Sequence, residues 1–264
     1  MFQNITVTIS DHVARVCLNR PEKHNAFNEV TIADLTKAFH QLAADDSVRV
    51  VVLESTGRSF SAGGDLAWMK KMVNYSEAEN HEDSRRLAQM LKLLNELPKP
   101  TIGRVQGAAY GGGVGLVACC DIVVAAEDAN FCLSEVRLGL SPATISPYVI
   151  HAMGVNHARR YFLTAEKFTA KDAEKIGLVH EVCKMKELDQ QVDRFIGYLM
   201  AGGPEALAGC KNLIYITEPM VNDEIFDRTA QQIARQRTEA EGQEGLSSFF
   251  EKRKAKWIDE SVTH

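Results

Sequence analysis

The sequence predicts an α/β fold with a parallel sheet, followed by a helical C-terminal region. Three observations carry that reading. "NEVTIADLTKAFHQLAAD" places Val30, Ala33, Leu35, Ala38, Phe39 and Leu42 at helical spacing. "VRVVVLES" follows as a β-branched run bounded by charge, the pattern of a strand buried on both faces. From about residue 151 onward the periodicity is helical almost throughout. The chain accordingly divides into an α/β core, residues 1–195, and a helical region, residues 196–264.

Each element has a local reason. "ITVTI" and "VARVCLNR" flank Ser10-Asp11-His12 and read as a hairpin. The strand, helix, strand series that follows implies a right-handed crossover. "TGRSFSAGGDLAWM" is small and polar, with glycines at 57, 63 and 64, and reads as a loop. Residues 65–97 are helical in character, with the charged stretch "VNYSEAENHEDSRR" expected in a mobile, solvated part. Pro98 and Pro100 end that segment, and "TIGRVQG" begins a short strand. "AAYGGGVGLVACCD" then carries Gly111, Gly112, Gly113 and Gly115 into a buried helical segment. "DIVVAAED" reads as a strand, and "NFCLSEVRLGL" is strand-like before a loop with Pro142 and Pro147.

Composition narrows the function. With 264 residues, 45% hydrophobic and 25% charged, the chain has the make-up of a soluble globular protein. A net charge of −5 supplies no basic face for nucleic acid. No run of about 18 uncharged apolar residues suggests a membrane span, and the opening residues do not read as a secretory signal, so a cytoplasmic location is expected. The six cysteines, Cys17, Cys119, Cys120, Cys132, Cys183 and Cys210, form no CxxC pair and mostly sit in apolar runs, so they read as buried reduced thiols. No ligand cluster for a metal, flavin or nicotinamide is evident.

Two loops share one chemistry. "SFSAGGDL" (59–66) and "AYGGGVGL" (109–116) each follow a short strand and precede a helical segment. Helix N-termini offer unpaired N–H groups and partial positive charge, and glycine lets a ligand reach that backbone. Side by side, two such loops could aim two N–H groups at one oxygen, an oxyanion hole. Taken singly, each loop reads more readily as a tight turn or close helix packing. GxxxxGK[ST] is absent, and GxGxxG lacks its strand–turn–helix setting.

Taken together, "LNRPEKHNAF" (18–27), "SFSAGGDL", "KPTIGRVQGAAYGGGVGLVACCDIVVAAEDANF" (99–131), "SEVRLGL" (134–140), "TAEKFTAKDAEKIGLVHEV" and "SSFFEKRKAKW" resemble the enoyl-CoA hydratase/isomerase, or crotonase, superfamily over essentially the whole chain. The resemblance implies a spiral of ββα repeats followed by a C-terminal helical trimerisation region. It implies an acyl-CoA substrate with no cofactor, and assembly as a homotrimer or a dimer of trimers. The oxyanion N–H groups would come from Gly64 and Gly112. Lys23, Ala26 and Phe27 would lie near the nucleotide portion of the CoA ester, and Ala62, Gly63, Asp65 and Leu66 along its pantetheine. Phe249 and Lys252 match positions that cover the nucleotide, often from a neighbouring subunit, although "KRKAKW" departs from the proline-containing ending of many members.

Hydratases of the family use two glutamates. One corresponds to Glu135 in "LSEVRLG"; the other position is Gly115, and no nearby carboxylate replaces it. One carboxylate can take the water proton and return it to Cα, or shuttle a proton between Cα and Cγ. Hydration and double-bond isomerisation therefore both remain open, as does a non-catalytic acyl-CoA-binding role. "EKHNAF", "SEVRLGLSPATISPYV" and "ARRYFLTAE" are most similar to bacterial methylglutaconyl-CoA hydratases and their isohexenylglutaconyl-CoA relatives. Those substrates carry a second carboxylate, for which Lys70, Lys71, Ser141, Ser146 and Tyr148 are candidate partners.

Overall fold

The computed structural model describes residues 1–217 and 223–256. The hairpin forms as expected: β1 (Ile5–Ser10) and β2 (Val13–Leu18) pair antiparallel, and Asp11 and His12 turn the chain at φ 50° and 65°. Helix α1 (Glu29–Ala44) starts where the Asn28 side chain accepts from Thr31 N, and buries Ile32, Leu35, Ala38, Phe39 and Leu42. Strand β3 (Val50–Ser55) then lies parallel to β2.

The region 65–97 is two helices, α2 (Leu66–Met72) and α3 (Glu77–Asn95). The charged stretch is more than a solvated surface. Ser76 and Glu79 form a capping box for α3, and Asn80, Asp83 and Ser84 are buried. The cause is nonlocal, since α3 is covered by a later helix, α9 (Asp223–Thr238). Strand β4 (Thr101–Val105), β5 (Ala108–Tyr110) and α4 (Gly112–Ala118) follow, then β6 (Ile122–Ala126), β7 (Asn130–Cys132) and a 3-10 turn, Glu135–Leu138. Helix α5 (Ser146–Thr164) is kinked at Gly154.

Beyond residue 151 the expected helices are interrupted. Between α5 and α6 (Ala170–Lys175) lies the two-residue strand β8 (Phe168–Thr169), and β9 (Glu181–Cys183) follows α6. After these come α7 (Leu188–Met200), α8 (Pro204–Thr217), α9 (Asp223–Thr238) and α10 (Ala240–Phe250). Helix α7 runs through residue 195. Trp257 of the "KRKAKW" ending lies outside the described residues.

Two sheets result. The larger has the order β1-β2-β3-β4-β6-β9, parallel from β2 onward; the smaller is β5-β7-β8. Each turn of the spiral gives one strand to the large sheet, a short segment to the small one, and a helix. Ser61 bridges Ala109 and so adds the first glycine loop to the edge of the small sheet. One face of the large sheet (Val50, Val52, Ile102, Val124) packs on Leu188 and Val192 of α7. The other face (Val51, Leu53, Val105, Val123) packs on α1, α3 and α4, which explains the run of apolar residues on both faces of β3. All six cysteines are free; Cys119, Cys120 and Cys132 are buried as expected, whereas Cys210 is exposed because it lies on α8. Among the described residues no helix is long and apolar enough to cross a membrane.

Candidate active site

The site is assembled around Phe27. Its backbone N–H donates to Gly63 O at 2.7 Å, and its carbonyl accepts from Asp65 N at 2.7 Å. That pairing leaves the Gly64 N–H turned away from Phe27. The Phe27 ring lies beneath the second loop, where a Cβ on Gly112 would stand 2.5 Å from Cε2. One buried aromatic therefore fixes both glycine loops.

The loops touch each other directly. Gly63 has φ 85°, and a Cβ there would sit 2.9 Å from Tyr110 O; Gly111 has φ 50°. Both values favour glycine, and the first contact excludes any side chain. Gly111 precedes α4, so the N–H of Gly112 lies in the first turn, where no helical carbonyl can accept it. Among the described residues neither Gly64 N–H nor Gly112 N–H has a protein acceptor.

Glu135 completes this corner. It opens the 3-10 turn, and its Oε1 lies so close to Gly111 that a Cβ there would be 3.2 Å away. Its Oε2 is shut off from solvent and has no hydrogen-bond partner among the described residues. Burial pushes the Glu135 carboxyl up from its ordinary 4.5 to about 7. The turn is held from behind by the C-terminal region of the same chain, where Gly139 and Gly245 let α10 approach its backbone closely.

These groups line one cavity of about 450 Å³, bordered by Phe27, Ala62, Gly63, Gly64, Leu66, Gly111, Gly112 and Glu135. Trp68, Met69 and Met72 of α2, Leu87 of α3, Ile233 and Arg237 of α9, and Leu246, Ser248 and Phe249 of α10 form the remaining walls, with Leu138, Leu140, Ser141, Pro142, Thr144 and Ile145 between them. Phe249 thus reaches the cavity of its own chain. Lys252 is exposed and outside the lining.

Lys23, Ala26 and Asp65 lie outside this lining. Lys23 is exposed on the 3-10 turn Pro21–Lys23, and Ala26 is buried, its carbonyl accepting from Arg20 Nη1. The Asp65 carboxylate is engaged within the protein: it caps α2 through Ala67 N and Trp68 N and pairs with Arg20 at 3.0 Å. Of the candidate carboxylate partners, Ser141 lines the cavity and is bonded to Gln236. Lys71 is exposed and pairs with Glu29, Lys70 is exposed, Ser146 is bonded to Ala143 O, and Tyr148 is buried outside the lining.

Gly115 is filled over. A Cβ there would press on Ile145 Cγ2 and stand 2.9 Å from its Cβ, with Leu91 behind. Sequence reasoning missed Arg237, which is 9% exposed and lines the cavity. A signal existed: Phe226, Ala230 and Ile233 form a helical stripe that Arg237 continues.

Comparisons with known proteins identify the family. The family model described as enoyl-CoA hydratase/isomerase matches residues 8–260. A crystal structure of an enoyl-CoA hydratase from Shewanella pealeana is 43% identical, with a TM-score of 0.81, covering 97% of this chain and 96% of that one. A crotonyl-CoA hydratase from Syntrophomonas wolfei is 30% identical over 97% of this chain and 98% of its own length. A trans-2-decenoyl-[acyl-carrier-protein] isomerase from Streptococcus mutans is 28% identical over 81% of this chain and 82% of its own.

Proposed function

The chain belongs to the enoyl-CoA hydratase/isomerase family, and on that premise we propose that it adds water reversibly to a branched 2-enoyl-CoA, 3-methylglutaconyl-CoA or isohexenylglutaconyl-CoA. The family acts on CoA thioesters without a required cofactor. The observation that carries the proposal is the buried Glu135 carboxylate, unpartnered at Oε2 and set against Gly111 beside two free N–H groups.

In this reading the thioester oxygen sits between the N–H groups of Gly64 and Gly112. As water adds at Cβ, charge builds on that oxygen as an enolate, and preorganised donors stabilise it; one such donor is worth about 3 kcal/mol in other enzymes. Glu135 takes a proton from the attacking water and returns it to Cα. A carboxyl that titrates at about 7 is suited to both steps near neutral pH, since neither protonation state is strongly favoured. The apolar remainder of the cavity receives the acyl chain.

The runner-up is double-bond isomerisation, favoured by the single carboxylate and by the Streptococcus mutans relative. A panel of enoyl-CoA esters followed by absorbance tests both. Hydration removes the conjugated-enoyl band from a 2-enoyl-CoA, whereas isomerisation creates it from a 3-enoyl-CoA. Activity on the 3-enoyl ester alone would sink the hydratase reading.

We also propose a cytoplasmic homotrimer or dimer of trimers, built from the core 1–195 and the helical region 196–264. Supporting it are six unpaired thiols and exposed apolar residues such as Val155 and Leu163 on α5 and Tyr198 on α7. Light scattering of the purified chain tests the assembly, and a monomer at micromolar concentration would refute it.

A further inference from the structure

We propose that Arg237, with the indole N–H of Trp68 on the same wall, receives a second carboxylate carried by the acyl chain and so selects the substrate. This deepens the reading of Glu135 as the proton-transfer group and rests on it.

A guanidinium buried this far needs acceptors for its five N–H donors, because taking a cation out of water costs several kcal/mol. Arg237 has few. Its Nη1 donates to Ser84 Oγ at 3.1 Å and approaches Asp83 Oδ2 at 3.5 Å. No acceptor meets Nε or Nη2 among the described residues. Asp83 is the counter-ion at 3.5 Å; burial pushes that carboxyl up, while Arg237 and the Trp68 indole pull it back down. Trp68 is 4% exposed; its enclosed Nε1 faces the Asp83 carboxylate, which it helps hold down, and makes no closer hydrogen bond. The Nε and Nη2 donors of Arg237 thus remain unmet, beside a Trp68 N–H held only by Asp83, in a cavity whose neighbouring walls are Met72, Leu87, Ile233 and Leu246.

Unmet donors on an apolar wall call for an anionic acceptor. A carboxylate has two oxygens, one for the flat guanidinium fork and one for an indole N–H, and charge-assisted bonds of this kind are the strong ones. The two other arginines lining the cavity fit the task less well. Arg137 is exposed, and Arg253 is already held at 2.6 Å by both Glu244 and Glu251. Arg237 and Glu135 line the same cavity, and apolar residues such as Met72, Leu87 and Leu246 line it with them, which suits a substrate with a charged end and an apolar middle. The competing account makes Arg237 a strut joining α9 to α3 through Asp83.

The test uses two esters, 3-methylglutaconyl-CoA and its carboxamide isostere, which keeps the shape and removes the charge. The wild-type chain is expected to favour the carboxylate ester by about 100-fold in kcat/KM. In Arg237→Met that ratio should fall toward one, mainly through KM, and in Trp68→Phe it should fall about tenfold. A ratio near one in the wild type overturns the proposal, as does a ratio that survives Arg237→Met while both esters lose equally, the outcome of a strut. Should Arg237→Met fail to fold, Arg237→Lys and Trp68→Phe carry the same comparison. If the wild type hydrates neither ester, the hydratase reading fails. Calorimetric affinities for the saturated 3-methylglutaryl-CoA and its carboxamide then test Arg237 alone, with a 100-fold preference supporting it and none refuting it.

Discussion

The cavity has two faces built from neighbouring segments, and they treat a carboxylate in opposite ways. On one face half-buried Glu135 has an enclosed, unpartnered Oε2, and burial pushes its carboxyl up to about 7. On the other, Gly115 lies directly under Ile145, whose side chain occupies the direction a residue at 115 would take. A carboxylate at position 115, where the resemblance implies a second glutamate, would find no room. The fold has closed over its place with a β-branched side chain, so proton traffic in the proposed reaction passes through one group.

The strongest way to break this asymmetry is to remove the working face. Glu135→Gln keeps shape and hydrogen-bonding reach but cannot accept the proton. Turnover on the preferred enoyl-CoA should drop by about 10³- to 10⁴-fold, in line with loss of a general acid–base. Affinity for a saturated acyl-CoA, measured by calorimetry, should stay within a few-fold. A Gln variant that keeps most of its turnover would dispose of the mechanism.

Restoring the missing face is the next test. Gly115→Glu must displace Ile145 and bury a charge in an apolar corner, so stability should fall by about 3 kcal/mol without a gain in rate. For a chain of this size that is roughly a 6–12 °C loss in Tm, read by thermal denaturation. Pairing it with Ile145→Ala should recover part of the loss. If the single variant were both as stable and faster, the site would have room for two carboxylates after all.

What could be read from the sequence followed how local each cause was. Helix α1 and strand β3 were legible because their apolar residues repeat at the period of a single element. The two glycine loops were legible as chemistry, but only the fold shows Phe27 fastening one by its backbone and the other by its ring. Strands β8 and β9, two and three residues long, are too short to show a period among helices. Asn80, Asp83 and Ser84 looked solvated because the helix that covers them, α9, arrives some 150 residues later; the Arg237–Ser84 bond spans 153 positions. Arg237 was hidden by its own charge, although it continues the stripe of Phe226, Ala230 and Ile233.

Between the two faces stands the contact of the glycine loops, and loosening it should have a smaller effect. Gly63→Ala places a Cβ 2.9 Å from Tyr110 O at φ 85°, a combination that costs about 1–3 kcal/mol in strain. The loops must part, so the Gly64 and Gly112 N–H groups lose alignment, and kcat should fall roughly tenfold or more while α1 and the large sheet are untouched. Ala78→Gly, exposed on α3 and outside the cavity lining, provides the control in the same assay. Equal effects at both positions would mean that the contact does not align the donors.

The mildest probe leaves every residue in place and titrates Glu135. Because burial raises its pKa, the ionised base that accepts the water proton predominates only above about pH 7, whereas an ordinary glutamate would be ionised above about 4.5. The sign follows directly: lowering the pH protonates the base and removes activity. Near pH 7 kcat/KM should stand at about half its plateau, and each further unit of acidity should lower it about tenfold. The Ile145 face has no titrating group, so one acidic limb with unit slope is expected. A limb near pH 4.5 would mean that Glu135 is solvated in the working enzyme, and a slope of two would mean that a second carboxylate, from outside the faces described, takes part.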